Sequence, residues 1–355
     1  MCRAYARRRN IVDRPDDRLK PHKRPVPYLG GVAILAGWAG GLILALAIFG
    51  AARQGSPGFD FRNMLGILLA GAAAALLGLL DDLRAMSPQK KLVGLTLATA
   101  LLIATGVGDD TFRLIFKAIG PQPAMPSWLV LVCSIPITWF IVAGACNATN
   151  LIDGMDGLCS GVLAIMAGGF LVLSVHMHLW SNWDPLDVQR VVLSLAMMGA
   201  TLGFLPYNRN PATIFMGDAG SMLLGITAAI LLLMFAKSSG VRWMMGAVMV
   251  FGLPLADMIL TLLRRWRHHR PLMQGDRSHF YDQLVDRGWP VRKVVRLSYA
   301  IAVVFGLAGC AAIVVRVRYL VPIYLLLVAV TALAVHRWGM VSEPDRPHRA
   351  LDRGQ

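Results

Sequence analysis

The sequence predicts an all-α protein, a polytopic transmembrane bundle of about ten spans with its functional loops on one face. Hydrophobic residues make up 56% of the 355-residue chain and charged residues only 15%, whereas a soluble domain carries about 25% charged residues. Apolar runs long enough to cross a bilayer as a helix recur with short polar breaks between them. We therefore expect a tail over residues 1–27, one transmembrane domain over 28–338 and a second tail over 339–355.

Ten apolar runs predict the individual spans, and a proline at position 136 interrupts the fourth, which membrane helices tolerate. The predicted spans cover residues 28–50, 63–80, 91–108, 127–146, 158–179, 190–207, 220–236, 243–263, 294–315 and 319–338.

Basic residues predict the orientation of the bundle. With the N-terminus in the cytoplasm, 26 of the 35 lysine and arginine residues fall on the cytoplasmic side, as the positive-inside rule requires. The polar connections around Asp81, Asn150, Asp218 and His279 then share that face, because an even number of spans separates them. One cytoplasmic site could use all four.

Charge and cysteine content exclude several other classes. A formal charge of +15 could indicate nucleic-acid binding, but cationic loops on a membrane protein explain it without a nucleic-acid partner. The five cysteines include no CxxC pair, so neither a disulfide framework nor a zinc site is indicated. No apolar core directly follows the basic N-terminal residues, so we expect no cleavable signal peptide.

The first candidate cluster is the Asp81-Asp82 pair, where the second span ends. Adjacent carboxylates at a membrane boundary repel each other unless a cation neutralises them, and a divalent metal would do so. The alternative is a solvated pair that simply begins a polar loop.

The second cluster is NATNLIDGMDGL, which contains Asn150, Asp153 and Asp156 at a spacing of three. If this segment is helical, the three side chains lie roughly along one face, and the neighbouring glycines allow a ligand to approach the backbone. Amide and carboxylates together suit hydrogen-bond recognition with metal or phosphate chemistry. A glycine-rich turn with aspartates as helix caps is the alternative.

The third cluster, FMGDAGS, places Asp218 in a tight turn immediately before the next span. Exposed N–H groups at a helix start favour phosphate, and Asp218 could hold a metal beside it. Phe215 could stack on a base, although packing is the ordinary role of such a phenylalanine.

The fourth cluster is the basic loop from Arg264 to Trp289, whose cationic groups suit a pyrophosphate. His279 is its candidate catalytic or substrate-binding residue, ahead of His268 and His269. Asp257, near the cytoplasmic end of a span, is a costly intramembrane carboxylate and therefore a functional candidate; an ion pair with a neighbouring arginine is the alternative.

These motifs, in this order and between these spans, resemble the polyprenyl-phosphate N-acetylhexosamine-1-phosphate transferase family (glycosyltransferase family 4). The matching pieces are KRPVPYLGG, LLDDL, NATNLIDGMDGL, FMGDAGS and the DRSH loop, and the resemblance covers nearly the whole chain. It implies that a multi-pass enzyme of a bacterial-type inner membrane transfers a sugar 1-phosphate from a UDP-N-acetylhexosamine to undecaprenyl phosphate and releases UMP, which initiates cell-envelope polysaccharide synthesis. Both termini and the active site would be cytoplasmic.

The resemblance also implies roles for individual residues. Mg²⁺ would lie at Asp218 with Asp81 and Asp82 close by, and Asp81 would deprotonate or orient the lipid phosphate. Mn²⁺ instead of Mg²⁺ and a homodimer are alternatives that the sequence leaves open. The remaining catalytic or substrate-binding residues would be Asn150, Asp153, Asp156 and Phe215 around the nucleoside, Lys23, Arg24 and Arg277 toward phosphate, and His279.

Two features depart from the family pattern. Members usually begin with a span ahead of the VDRPDDR-like segment, whereas ten residues precede Ile11 here. The peptidoglycan translocase branch carries three consecutive histidines and the GlcNAc-type branch a His-x-His-His pattern, but only His279 matches here. The DRSH context favours the GlcNAc-type branch, with UDP-MurNAc-pentapeptide as the alternative donor.

Two other functional classes are weaker alternatives. An intramembrane prenyltransferase would need two acidic repeats of a pattern that the sequence shows at most once, near Asn150. A transporter would carry its carboxylates near the middle of its spans and show two related halves. The clusters lie at span ends, which favours a transferase.

Overall fold

The computed structural model describes residues 1–13, 25–51, 59–84, 86–119, 124–180, 186–237, 241–269 and 279–340. This part of the chain is almost entirely helical, which confirms the all-α prediction. Its helices are α1 (Cys2–Arg8), α2 (Gly30–Ala51), α3 (Phe61–Arg84), α4 (Pro88–Ala104), α5 (Thr111–Ile119), α6 (Ser127–Leu151), α7 (Leu158–Trp180), α8 (Asp187–Asn208), α9 (Gly217–Lys237), α10 (Val241–Val250), α11 (Gly252–Arg267), α12 (Phe280–Asp286), α13 (Val291–Cys310) and α14 (Val317–Arg337).

Each of the ten predicted spans corresponds to a helix or to a broken helix. Within the described ranges, eight helices are long and apolar enough to cross a membrane, and the α10–α11 pair is a ninth candidate with a bend of 70°. The remaining predicted span is α4, with only 17 residues. The chain is therefore a multi-pass membrane protein.

Pro254 explains the break between α10 and α11. A proline has no N–H to donate to the carbonyl four residues earlier, which here belongs to Val250, the last residue of α10. Phe251 lies at the junction, and α11 starts at Gly252 with the proline in its first turn. The sequence pattern predicted this segment as one continuous span because its apolar residues continue through the bend.

The centre of the bundle is α9, which packs against α3, α6 and α2. Most residues of this helix are buried on all sides. Glycines such as Gly220 and Gly225 allow the neighbouring helices to approach its backbone closely. Gly78 of α3 faces the start of α9, where an added Cβ would overlap the backbone of Asp218 and Ala219. This close approach brings the acidic end of α3 to the first turn of α9.

Successive membrane-crossing segments run in opposite directions, with α10 and α11 counted as one segment, so one end of the bundle collects the functional loops. We call this end the site face; it carries the C-terminal ends of α3, α6, α8 and α11 and the N-terminal ends of α4, α7, α9 and α13.

A small strand pair fastens the N-terminal segment to the site face. Strand β1 (Val12–Asp13) pairs antiparallel with β2 (Val26–Pro27). The N–H of Phe215 then donates to the carbonyl of Pro27 at 2.8 Å, and the N–H of Gly30 donates to the carbonyl of Phe215 at 3.0 Å. The PYLGG and FMGD segments, far apart in sequence, therefore lie side by side.

Candidate active site

Asp82 joins the end of α3 to the start of α9. Its Oδ1 accepts a hydrogen bond from the N–H of Asp218 at 2.8 Å, and its Oδ2 accepts one from the N–H of Ala219 at 3.1 Å. A carboxylate at this position satisfies N–H groups that a helix start leaves without partners. Gly217, with φ of +69°, makes the turn; a Cβ there would lie 2.6 Å from Asp82 Oδ2.

Lys91 of α4 lies between two carboxylates from different helices. Its Nζ donates to Asp218 Oδ2 at 2.7 Å and forms an ion pair with Asp81 Oδ2. The side chains are 12% exposed for Asp81, 25% for Asp218 and 29% for Lys91, so the cluster lies just below the surface. Asp81 Oδ1 accepts from the N–H of Met86 at 2.6 Å, which holds that carboxylate at the turn into α4.

The second oxygen of Asp218 is held by α6. Asn150 Nδ2 donates to Asp218 Oδ1 at 2.8 Å and lies 3.1 Å from Ser221 Oγ. Three helices therefore fix one carboxylate: α9 carries it, α4 supplies a cation and α6 supplies an amide. The predicted grouping of Asn150 with the acidic clusters is present in this geometry.

The donor set at this point fits a divalent cation. Mg²⁺ in phosphate-handling sites is held by one or two carboxylates, with substrate phosphate oxygens and water completing its ligands. Asp81 and Asp218 converge on one point, where the Lys91 ammonium shows that a positive group is accommodated. In the part of the chain that the structure describes, no three acidic, histidine or cysteine side chains form a complete metal site. Asp82, predicted as a third ligand, has both oxygens turned to the start of α9.

The loop between α6 and α7 carries Asp153 beside this cluster. Burial raises the pKa of Asp153 well above its usual range, and the carboxylates of Asp218, Asp82 and Asp156 raise it further. A carboxyl group in such surroundings keeps its proton to a higher pH than a solvated aspartate does. The spacing of Asn150, Asp153 and Asp156 suggested one helical face, but α6 ends at Leu151 and the aspartates lie in the loop.

Asp156 connects this loop to the segment before α9. Its Oδ2 accepts hydrogen bonds from Asn210 Nδ2 at 3.0 Å and from the N–H of Ala212 at 2.9 Å. Nearby, Asn208 Oδ1 accepts from the N–H of Gly157 at 3.1 Å. These bonds hold the NLIDGMDG and FMGDAGS segments together, so Asp156 supports the site through a structural contact; its predicted role toward substrate stays a prediction.

His279 is buried beside α11 at the start of α12. Its Nδ1 lies 2.9 Å from Asp257 Oδ2 and 3.2 Å from Thr261 Oγ1. The N–H of Phe280 donates to the other oxygen of Asp257 at 3.3 Å. Asp257 therefore has a histidine as its partner, and its bonding fixes the orientation of the imidazole and directs Nε2 away from α11.

Tyr281 links His279 to the acidic loop. The rings of His279 and Tyr281 stack with centroids 5.3 Å apart, and Tyr281 donates through its hydroxyl to the carbonyl of Leu151 at 2.6 Å. Burial raises the pKa of Tyr281 well above its usual range, so the hydroxyl keeps its proton. Gly154 allows the contact, because a Cβ there would overlap the ring.

The side chain of Phe215 is half-buried and its backbone pairs with the N-terminal segment, while its stacking role stays a prediction. Lys23, Arg24 and Arg277 lie outside the described residues.

Sequence reasoning did not single out Lys91 or Tyr281. The short turn between Asp82 and Lys91 was the available signal for the lysine, because it returns the chain to the same face.

A comparison with protein-family models adds an independent finding. The model described as glycosyl transferase family 4 matches residues 64–236. This range runs from α3 to α9 and includes Asp81, Asp82, Asn150, Asp153, Asp156 and Asp218.

Similar proteins are found over most of the chain. A decaprenyl-phosphate N-acetylglucosaminephosphotransferase of Mycobacterium tuberculosis is 31% identical, covering 84% of this chain and 74% of that protein. A probable undecaprenyl-phosphate N-acetylglucosaminyl 1-phosphate transferase of Bacillus subtilis is 29% identical over 95% of this chain and 87% of its own length. A phospho-N-acetylmuramoyl-pentapeptide-transferase of Bacillus licheniformis is 28% identical over 81% and 83%.

Proposed function

This chain belongs to glycosyl transferase family 4, and on that premise we propose that it transfers a sugar 1-phosphate from a UDP-N-acetylhexosamine to undecaprenyl phosphate. An oxygen of the lipid phosphate becomes bonded to the phosphorus that carries the sugar. The bond from that phosphorus to the UMP oxygen breaks, and UMP leaves with the electron pair. The products are UMP and a diphosphate-linked lipid sugar. GlcNAc-1-phosphate is the proposed group, as in the names of the two GlcNAc-type relatives.

The observation that carries this proposal is the convergence of Asp81 and Asp218 on one cationic point at the end of the bundle. A diphosphate cannot approach two carboxylates unless a cation separates them. Asp81 and Asp218 would hold Mg²⁺, which supplies positive charge toward the phosphates and the leaving oxygen. The position at the membrane boundary also suits a lipid whose tail stays in hydrocarbon while its phosphate meets a soluble nucleotide sugar.

The surrounding residues suit binding and positioning roles. Asn150 holds the Asp218 carboxylate, and Asp82 holds the backbone on which Asp218 sits. Asp153, whose pKa is raised by burial and by the neighbouring carboxylates, would hydrogen-bond the nucleotide. Asp257 orients His279, whose Nε2 is then available for a phosphate oxygen.

We further propose that the site face is cytoplasmic, in the plasma membrane of a bacterium. Of the 35 lysine and arginine residues, 26 belong to parts of the sequence that the order of the spans assigns to that face. Excess basic residues mark cytoplasmic loops. UDP-sugars are cytoplasmic metabolites, so this orientation agrees with the proposed donor.

The relative from Bacillus licheniformis favours one alternative donor, UDP-MurNAc-pentapeptide. A donor panel separates the two. Purified protein in detergent would receive undecaprenyl phosphate, Mg²⁺ and one radiolabelled donor, UDP-GlcNAc, UDP-GalNAc or UDP-MurNAc-pentapeptide, with and without EDTA. We expect label from UDP-GlcNAc in the lipid phase and its loss with EDTA. Transfer from UDP-MurNAc-pentapeptide alone would support the alternative, and no transfer from any donor would contradict the transferase proposal.

A further inference from the structure

A cavity of about 460 Å³ opens on the site face between the end of α8 and the start of α13. Arginine side chains dominate its lining: Arg209 follows α8, and Arg292 and Arg296 lie one turn apart on α13. The volume falls in the range of small-molecule pockets. None of the family motifs includes these arginines, and beyond their contribution to the orientation of the bundle they have no role in the site described above.

The cavity has an excess of positive charge. Asp156 is the acidic residue of its lining, and Oδ2 of that carboxylate already accepts hydrogen bonds from Asn210 and Ala212. Among the described residues, Arg209, Arg292 and Arg296 form no ion pair with an acidic side chain. Three guanidinium groups around one carboxylate leave a net charge that suits an anion, and the guanidinium fork matches phosphate oxygens.

One of the three arginines, Arg292, is partly positioned before any ligand arrives. Arg292 Nη2 donates to the carbonyl of Asn210 at 3.2 Å, which holds that side chain over the loop before α9. Tyr299, which also lines the cavity, donates through its hydroxyl to the carbonyl of Gly157 at 2.5 Å. These bonds partly fix Arg292 and Tyr299, so those two side chains lose less conformational freedom on binding than unbonded ones would.

The apolar part of the cavity distinguishes a lipid from a soluble anion. Leu205 and Val295 supply its apolar lining, and exposed apolar side chains occur farther along α8 and α13, away from the site face. Leu202 of α8 is 49% exposed and Leu307 of α13 is 67% exposed. A basic pocket between transmembrane helices, with apolar faces leading away from it, is the arrangement that binds the headgroup of an anionic lipid.

We propose that this cavity binds the phosphate of an anionic phospholipid of the phosphatidylglycerol type, with its acyl chains along α8 and α13. The bound lipid would brace the loop that carries Asp156 against α13. The cavity shares Asp156 with the loop that carries predicted nucleoside-binding residues, but neither Asp81 nor Asp218 lines it, and the lipid binding proposed here does not require the proposed reaction.

The test measures lipid retention by the purified full-length chain. The protein in detergent is titrated with phosphatidylglycerol or phosphatidylcholine, and bound lipids are counted by native mass spectrometry. We expect preferential binding of phosphatidylglycerol, weakened about 30-fold in Arg292→Gln/Arg296→Gln, since each basic residue near such a surface contributes roughly fivefold. The matched control, Arg316→Gln/Arg318→Gln, removes two exposed arginines at the opposite end of the bundle and should bind as the wild type does.

The remaining measurements distinguish a lipid phosphate from a soluble one as the ligand of the cavity. Equal phosphatidylglycerol binding by the wild type and the α13 variant would overturn the proposal. Displacement of the lipid by millimolar UMP or inorganic phosphate would assign the cavity to a soluble ligand and overturn it equally. Arg209→Gln, which changes no helix, should weaken binding about fivefold and keeps the test valid if the double variant does not fold. No arm requires turnover, so a failed donor panel leaves the result readable.

Discussion

The ammonium of Lys91 lies 2.7 Å from a carboxylate oxygen of Asp218, although 127 residues separate them in the chain. The same ammonium pairs with Asp81, so one lysine occupies the point where two helices present their carboxylates. If Mg²⁺ binds at this point during catalysis, lysine and metal compete for the same oxygens.

That competition predicts the effect of Lys91→Gln on metal dependence. Removing the ammonium should lower the Mg²⁺ concentration for half-maximal activity by about three- to fivefold, the size expected of a partly exposed ion pair. The measurement is initial rate against Mg²⁺ concentration. Lys90→Gln removes an equal charge from an exposed neighbour and should leave the curve in place. The same half-saturating concentration in both variants would show that Lys91 does not compete with the metal.

Asp218→Asn should lower turnover by about 100-fold or more, because the amide keeps the shape of the side chain but loses the charge that holds a cation. Steady-state rates at saturating donor would measure the loss. The control is Asp109→Asn, which makes the same chemical change at the opposite end of the bundle, where Asp109 pairs with Lys237. This variant should keep the turnover of the wild type. Near-wild-type turnover in Asp218→Asn at ordinary Mg²⁺ would remove Asp218 from the metal site.

Asp82→Ala should destabilise the fold by about 1–2 kcal/mol, the usual cost of losing a helix-capping side chain. Thermal unfolding in detergent would detect it as a lower midpoint. Asp82→Asn keeps one acceptor oxygen, so its unfolding midpoint should fall by less than that of Asp82→Ala. If Asp82→Ala unfolds at the wild-type temperature while its activity is lost, Asp82 acts on substrate or metal and its capping role is minor.

Gly78→Ala should reduce activity by tenfold or more, because the new methyl group overlaps the backbone of Asp218 and must push α3 and α9 apart; displacements of about 1 Å at a reacting centre cost about a hundredfold. The matched control is Gly144→Ala, which adds the same methyl group to α6 where nothing lies within 4 Å. Equal activity in the two variants would mean that the helix contact does not set the geometry of the site.

Asp257→Asn should lower turnover by about 10- to 100-fold through His279, as loss of an orienting partner does in other sites. His279→Ala should produce a similar loss, and the double variant should lose little more, because both changes remove one function. Rates for the single and double variants, with pH profiles, test this. Additive losses would show that the two residues act independently, and unaltered kinetics in His279→Ala would make the histidine structural.

Sequence periodicity predicted the helices well, since each span needs only a run of apolar residues, whatever its neighbours are. Counting spans also predicted correctly that Asp81, Asn150, Asp218 and His279 share one end of the bundle. Neither periodicity nor the count of spans could predict contacts between individual residues. The capping by Asp82 and the position of Lys91 depend on how α3, α4 and α9 pack, which small residues such as Gly78 determine and local patterns do not reveal.

The length of α4 has a consequence for the surrounding bilayer. Its 17 residues span about 25 Å, whereas the hydrocarbon layer is about 30 Å thick. Val93 and Leu97 face outward on this helix, 63% and 64% exposed, so we expect the bilayer beside it to thin toward its length. Thinning draws the headgroup plane inward next to Lys91. We expect an acceptor lipid in that thinner region to bring its phosphate closer to the level of the carboxylates, so that the rate of the proposed transfer would depend on bilayer thickness.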